Sequence, residues 1–292
     1  QVFELLEEGE RLQLSFKIIP PKNAAEAVAE VKAKVNTRTY TKKSIPIRYD
    51  HIPTQRVLVD AQAKFVRLDL KRRGERVGYV MGAGDKIPES LEAIGYNVTL
   101  LDPLTLNAAA LNNYQAVILG IRALNVLDEL ALKKQELLTY MSQGGVVISQ
   151  YNTSSRSGNN EVSIAPFPLR ISSDRLTEEN ARVTLLQPNH PVLSYPNTIS
   201  EKDFEGWVQE RGLYFPNQWH SAYTPVLEMG DQRERPKQGS LLVAQLGKGY
   251  FVYTGLSFFR ELPAGVSGAY RLMANIISLG AVSSPSDTST QN

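Results

Sequence analysis

The sequence predicts an α/β fold, a parallel sheet with helices on both faces, preceded by an antiparallel β-sandwich segment. Three observations carry that expectation. Residues 76–150 read strand, helix, strand, strand, helix, strand, the grammar of a parallel sheet. The runs Val77–Met81, Ala116–Gly120 and Val146–Ser149 are short and almost wholly apolar, as strands buried on both faces are. Residues 1–70 instead alternate apolar with polar, as half-buried strands do.

The elements follow in order. Leu12, Leu14, Phe16 and Ile18 alternate with polar residues and predict a strand that Pro20-Pro21 stops. Ala24–Tyr40 carries two signals: an Ala/Glu-rich start that favours a helix, and Val31, Val35, Thr37, Thr39 and Tyr40, which favour a strand. Ser44–Tyr49, Val57–Val59 and Phe65–Leu70 add short strands. Residues 1–73 therefore form the sandwich segment, too small to bury much core. Lys71-Arg72-Arg73-Gly74-Glu75 reads as a solvated linker.

Residues 74–282 form the α/β domain. Its first strand ends in Gly82-Ala83-Gly84-Asp85; Pro88 suits the first turn of the helix that follows, Leu91 and Ile94 share a face, and Gly95 suits the position after its end. Val98–Leu101 and Ala116–Gly120 are the next strands. Asp128 is placed to cap a helix with Leu130, Leu137, Leu138 and Met141 as its apolar stripe, ended by Gly144-Gly145. Val146–Ser149 is the fourth strand. Residues 154–238 are irregular and rich in Pro, Asn and aromatics, the kind of excursion that builds a site wall or an interface. Ser240–Gln245 and Gly249–Tyr253 form a hairpin around Leu246-Gly247-Lys248. Ala264–Leu279 is the closing helix, with Val266, Tyr270, Met273 and Ile277 on one side and Gly280 past its end. Residues 283–292 read as a disordered tail.

Composition narrows the chemistry. A net charge of +2 on 292 residues does not mark a nucleic-acid or membrane-surface binder. No apolar run approaches the roughly 18 residues that span a bilayer. With no Cys there is no disulfide, no Cys-ligated zinc and no thiolate nucleophile. His51, His190 and His220 stand far apart without metal-ligand spacing, so no metal is expected. Gly82-Ala83-Gly84 resembles half a phosphate-binding loop, but Ile87 stands where the third glycine belongs, and a tight strand-to-helix turn is the plainer reading. There is no G-x-S-x-G elbow. No cofactor is expected. Gln1 is not an initiator Met, and the chain reads as processed or cut from a longer protein.

In open α/β sheets, ligands bind beyond the carboxyl ends of the strands. Those ends carry Arg122, Tyr151, Asn152, Arg260 and Glu261, which are expected to converge there. Arg122, Arg260 and Glu261 equally fit a structural ion-pair network. Residues 205–215 add Trp207, Glu210 and Arg211; aromatic faces beside Arg, Glu and Asn hold sugar rings, while core packing of Trp207 and Phe215 is the plainer alternative.

The order of strands, with a late segment Phe258-Phe259-Arg260-Glu261, resembles the flavodoxin-like fold of class I glutamine amidotransferases. Their nucleophilic Cys maps near Tyr151 or Asn152, and their late acid maps on Glu261, but no His precedes it; amidotransferase activity is not implied. The strings Gln150-Tyr151-Asn152-Thr153, Ala165-Pro166-Phe167-Pro168, Asn189-His190-Pro191, 203–214 (from Asp203-Phe204-Glu205-Gly206-Trp207 to Tyr214) and 253–263 (from Tyr253-Thr254-Gly255 to Leu262-Pro263) resemble the C-terminal region of large bacterial PIG-L/LmbE-type proteins. The resemblance implies a zinc-dependent N-acetyl-sugar deacetylase domain ahead of this segment, as its partner. The His-Pro-Asp-Asp-type signature of that domain does not occur here, since His190-Pro191 is followed by Val192-Leu193.

The resulting expectation is a non-catalytic ancillary module that binds carbohydrate or positions the deacetylase domain. Its ligand-binding residues are Arg122, Tyr151, Asn152, Trp207, Glu210, Arg211, Arg260 and Glu261. The alternatives are a hydrolase using Glu261 as acid/base with Tyr151 or Arg260, and a purely structural interdomain scaffold. The resemblance also favours a periplasmic or extracellular location.

Overall fold

The computed structural model describes residues 12–16, 26–154 and 160–282. The chain divides into two compact units between Leu68 and Asp69.

Among the described residues, every strand of the first unit pairs antiparallel. It contains β1 (Glu26–Glu30), β2 (Ala33–Val35), β3 (Arg38–Tyr40), β4 (Lys42–Tyr49), β5 (Ile52–Asp60) and β6 (Gln62–Val66). These pair as β1 with β6, β2 with β3 and β4 with β5. The stretch with two signals is therefore strand; its β-branched and aromatic residues prevail over its Ala/Glu start. Leu12–Phe16 is not a strand: it has no ladder partner among the described residues, and Phe16 is 63% exposed. Ile18 and Pro20-Pro21 lie outside the described residues. The pairs do not close over a core, because Val28, Val35, Ile45, Val57, Leu58 and Phe65 are 40–66% exposed.

The second unit holds β7 (Arg76–Val80), β8 (Asn97–Leu100), β9 (Ala116–Leu119), β10 (Val146–Gln150), β11 (Leu169–Leu176), β12 (Val183–Leu185), β13 (Gly212–Trp219), β14 (Tyr223–Pro225), β15 (Leu227–Met229), β16 (Leu241–Leu246) and β17 (Gly249–Thr254). Seven of these form one sheet in the order β14-β16-β17-β10-β9-β7-β8. β8, β7, β9, β10 and β17 are parallel, and the hairpin β16–β17 with β14 adds an antiparallel flank. Numbered along the chain, the parallel strands run 2-1-3-4-5, the flavodoxin-like order. β9 and most of β7 and β10 are buried to the last few per cent, which is why they read as unbroken apolar runs. The excursion from β10 to β16 contributes two further antiparallel pairs, β11–β13 and β12–β15.

The helices are α1 (Ile87–Ala93), α2 (Ala108–Leu111), α3 (Ala123–Val126), α4 (Glu129–Leu132), α5 (Lys134–Ser142), α6 (Pro191–Ser194), α7 (Phe258–Glu261), α8 (Ser267–Ile277) and α9 (Leu279–Val282). The helix expected from Asp128 is broken into α4 and α5 at Lys133, and Asp128 makes no side-chain cap. The closing helix is shorter than expected: α8 ends at Ile277, and Gly280 lies within α9 rather than beyond the helix.

The basic run is not a free linker. Lys71 donates its backbone N–H to Asn197 Oδ1 (2.8 Å), and its carbonyl accepts from Asn197 Nδ2 (2.7 Å). Arg72 lies over the Tyr96 ring and Arg73 over the Tyr195 ring. Asn197 in turn is locked to the wholly buried Asn275 of α8. The boundary accordingly falls before Asp69 instead of after Arg73. The tail 283–292 lies outside the described residues.

Candidate functional site

The sheet places its functional edge where β7, β9, β10 and β17 end, with the topological switch between β7 and β9. There the two turns press together. A Cβ on Gly82 would stand 2.1 Å from the Ile121 carbonyl oxygen, so only glycine permits this approach. Ala83 N–H donates to that same carbonyl (2.9 Å). Asp85 fastens this turn with its own side chain. Its carboxylate accepts from Tyr79 Oη (2.6 and 2.7 Å), from the Ile87 backbone N–H (3.0 Å) and, more distantly, from Ile121 N–H (3.4 Å). Gln150 Nε2 donates to Tyr79 Oη from behind (3.0 Å). Burial and the Asp85 charge both push the Tyr79 hydroxyl far above its ordinary pKa, so it remains a donor.

Arg122 follows β9 in the left-handed region (φ 57°, ψ 22°) at the head of α3, with its side chain exposed. Its N–H donates to the Tyr151 carbonyl (2.8 Å), tying the β9 turn to the β10 turn. The Tyr151 ring stacks on Tyr214 (5.9 Å, 13°) and leans on Phe259 (5.5 Å). Burial raises the Tyr151 hydroxyl pKa, against the opposing charges of Arg122 and Arg260. Asn152 is 2% exposed and both ends of its amide are engaged: Oδ1 accepts from Leu124 N–H (2.9 Å) and Nδ2 donates to the Gln150 carbonyl (2.9 Å). It thereby caps α3 from the neighbouring strand.

Glu261 lies on α7, wholly buried. One carboxylate oxygen accepts from Val208 N–H (2.9 Å); the other has no hydrogen-bond partner. Desolvation raises its pKa to about 7, against the pull of the Val208 N–H and of Arg211 and Arg260. Arg211 is 4% exposed, with Nε and Nη1 unpartnered, and its guanidinium lies over the Trp207 ring. Burial lowers its pKa, and the Glu261 charge restores part of that loss. Trp207 is 3% exposed, stacks on Phe204 and donates Nε1–H to the Asp203 carbonyl. Arg260 pairs with Glu210 (2.8 Å), not with Glu261.

The strand ends thus bring together two groups rather than one. Arg122, Tyr151 and Arg260, the last with its partner Glu210, form a partly exposed cluster. Glu261, Arg211 and Trp207 form a buried one, and Asn152 serves the backbone between the turns. Sequence reasoning missed Tyr79 and placed Asp85 and Gln150 at the strand ends without giving them a role; the Asp directly after Gly-x-Gly was the available signal. Two of the three histidines serve local turns: His190 Nδ1 accepts from Val192 N–H, and His220 Nδ1 from Ala222 N–H; His51 leans on the Tyr49 ring. Among the described residues, no group of three or more His, Cys, Asp or Glu is placed to hold a metal ion. No described helix is long and apolar enough to cross a membrane.

No protein-family model and no curated protein matches the chain. Solved structures do. A GMP synthase subunit-like protein from Thermoplasma acidophilum is 9% identical, with 73% of this chain and 96% of that chain covered at a TM-score of 0.45. A ThuA-like protein from Bacteroides uniformis is 12% identical, covering 72% and 91% at 0.42. PurLQS from Thermotoga maritima is 11% identical, covering 70% and 99% at 0.39.

Proposed function

We propose that this chain is a non-catalytic module, built on a glutamine amidotransferase-like fold, of a larger PIG-L/LmbE-type sugar-processing protein, where it positions a zinc-dependent deacetylase domain and contributes carbohydrate binding. One observation carries the non-catalytic half. At the turn after β10, where such folds place a nucleophile, Asn152 spends its amide on Leu124 N–H and the Gln150 carbonyl, and Tyr151 is stacked between rings. Neither can replace the activated thiolate of such a turn. The family half is supported by the sequence strings at 150–153, 165–168, 189–191, 203–214 and 253–263, and with it goes a location outside the cytoplasm.

A specific observation favours a second reading. Glu261 is a carboxyl near pKa 7 with one unpartnered oxygen, the property of a general acid/base. Against it stands its complete burial. Assay of the purified chain against glutamine and against ester, amide and glycoside probes separates the two. The module predicts no turnover. Turnover that disappears in Glu261→Gln would establish the enzyme instead.

A further inference from the structure

Away from the strand ends, a groove of about 560 Å³ lies between the β11–β13 pair, which lends it Pro216 and Trp219, and the loop 234–238. Two irregularities build it. Arg170 pairs with Gln218 and Ile171 with Pro216, so Asn217 is an extra residue on β13. On β11, Ile171 pairs with Pro216 and Asp174 with Phe215, so Ser172 and Ser173 are extra there. Bulges of this kind turn a side chain out of the pleat and are frequent beside binding sites. This one is pinned: Ser172 Oγ donates to the Phe215 carbonyl (2.7 Å) and accepts from Asp174 N–H (3.0 Å). Asn217, the extra residue of β13, and Asp174, directly after the extra residues of β11, both line the groove.

The groups on offer define the ligand. Trp219 packs one side on the core and is only half-buried. The side chains of Asp174, Asn217 and Arg235 have no hydrogen bond or ion pair among the described residues, and Gln238 is held in place by Glu228 (2.7 Å). Glu234 and Lys237 neutralise each other, so the groove's two acids and two bases cancel, which does not suit a polyanion. Planar amide, carboxylate and guanidinium groups beside an indole match a ring that has hydroxyls on its edge and C–H groups on its face. We propose that this groove binds a neutral oligosaccharide, with Trp219 as the platform and Asp174, Asn217 and Arg235 reading the hydroxyls. The proposal deepens the reading of a carbohydrate-binding module and rests on it; it moves the site away from Trp207, which is buried.

Intrinsic fluorescence tests it, because Trp207 and Trp219 are the protein's two tryptophans. In a Trp207→Phe background, cellopentaose, N-acetylchitopentaose and mannopentaose are titrated separately. The expected result is a saturable change in Trp219 emission with at least one of them. Asp174→Ala and Asn217→Ala, with melting unchanged, should each weaken that binding about tenfold, equivalent to about 1.4 kcal/mol. No saturable change with any probe overturns the proposal, as does undiminished affinity in both variants. Glu261-dependent hydrolysis in the turnover assay would overturn the module and leave the groove's binding in place, so the two failures are distinguishable.

Discussion

Glu261 is a carboxyl buried beside a buried guanidinium, with hydrogen-bond capacity on both left unused. Its pKa rises from the ordinary 4.5 to about 7 on folding, so the native state binds its proton more tightly than the unfolded chain. The contribution to stability is complete below pH 4.5 and is lost as the pH climbs through 7, at most about 1.4 kcal/mol for each unit of the window. Thermal melts from pH 4.5 to 8 should show this decline in the wild type and a flatter profile in Glu261→Gln, which cannot ionise and keeps an oxygen for Val208 N–H. An unchanged slope would mean that another group sets it. The partly exposed Arg260–Glu210 pair contributes less than about 1 kcal/mol by comparison.

At the scale of elements, α3 owes its start to a strand outside it. Asn152→Ala would leave Leu124 N–H unpaired at a partly buried helix head and should cost about 1 kcal/mol, measured by denaturant unfolding. That cap spans 28 residues and has no local signature, although Asn152 itself was legible as a strand-end residue. β7, β9 and β10 were legible because strands buried on both faces must be apolar at every position. β11 and β13 were not, because bulges break the alternation that marks a strand. The pairing of Arg260 with Glu210 instead of Glu261 lies beyond periodicity too, since it depends on how the excursion folds back over α7. Trp207 shows the same limit: an aromatic among charges reads as a platform until its neighbours are known.

The two units differ in what holds them. The second has a continuous core around the seven-stranded sheet, and its first residues are fastened by Asn197 and Asn275. Residues 69–292 expressed alone should therefore melt cooperatively by calorimetry. The first unit leaves most of its larger apolar side chains in water. Two-stranded pairs of that kind are marginal by themselves, so residues 1–68 alone should give no cooperative transition. A sharp melt of that fragment would show a core that the strand pairs do not reveal.

The Asp85 carboxylate has a further consequence at this scale. It is tethered five residues beyond the end of β7, so its effective concentration at the Ile87 N–H far exceeds that of any dissolved anion. A donor that in other strand-to-helix turns would await an anion from solution is satisfied here from within the chain, with Tyr79 closing the same carboxylate from the strand.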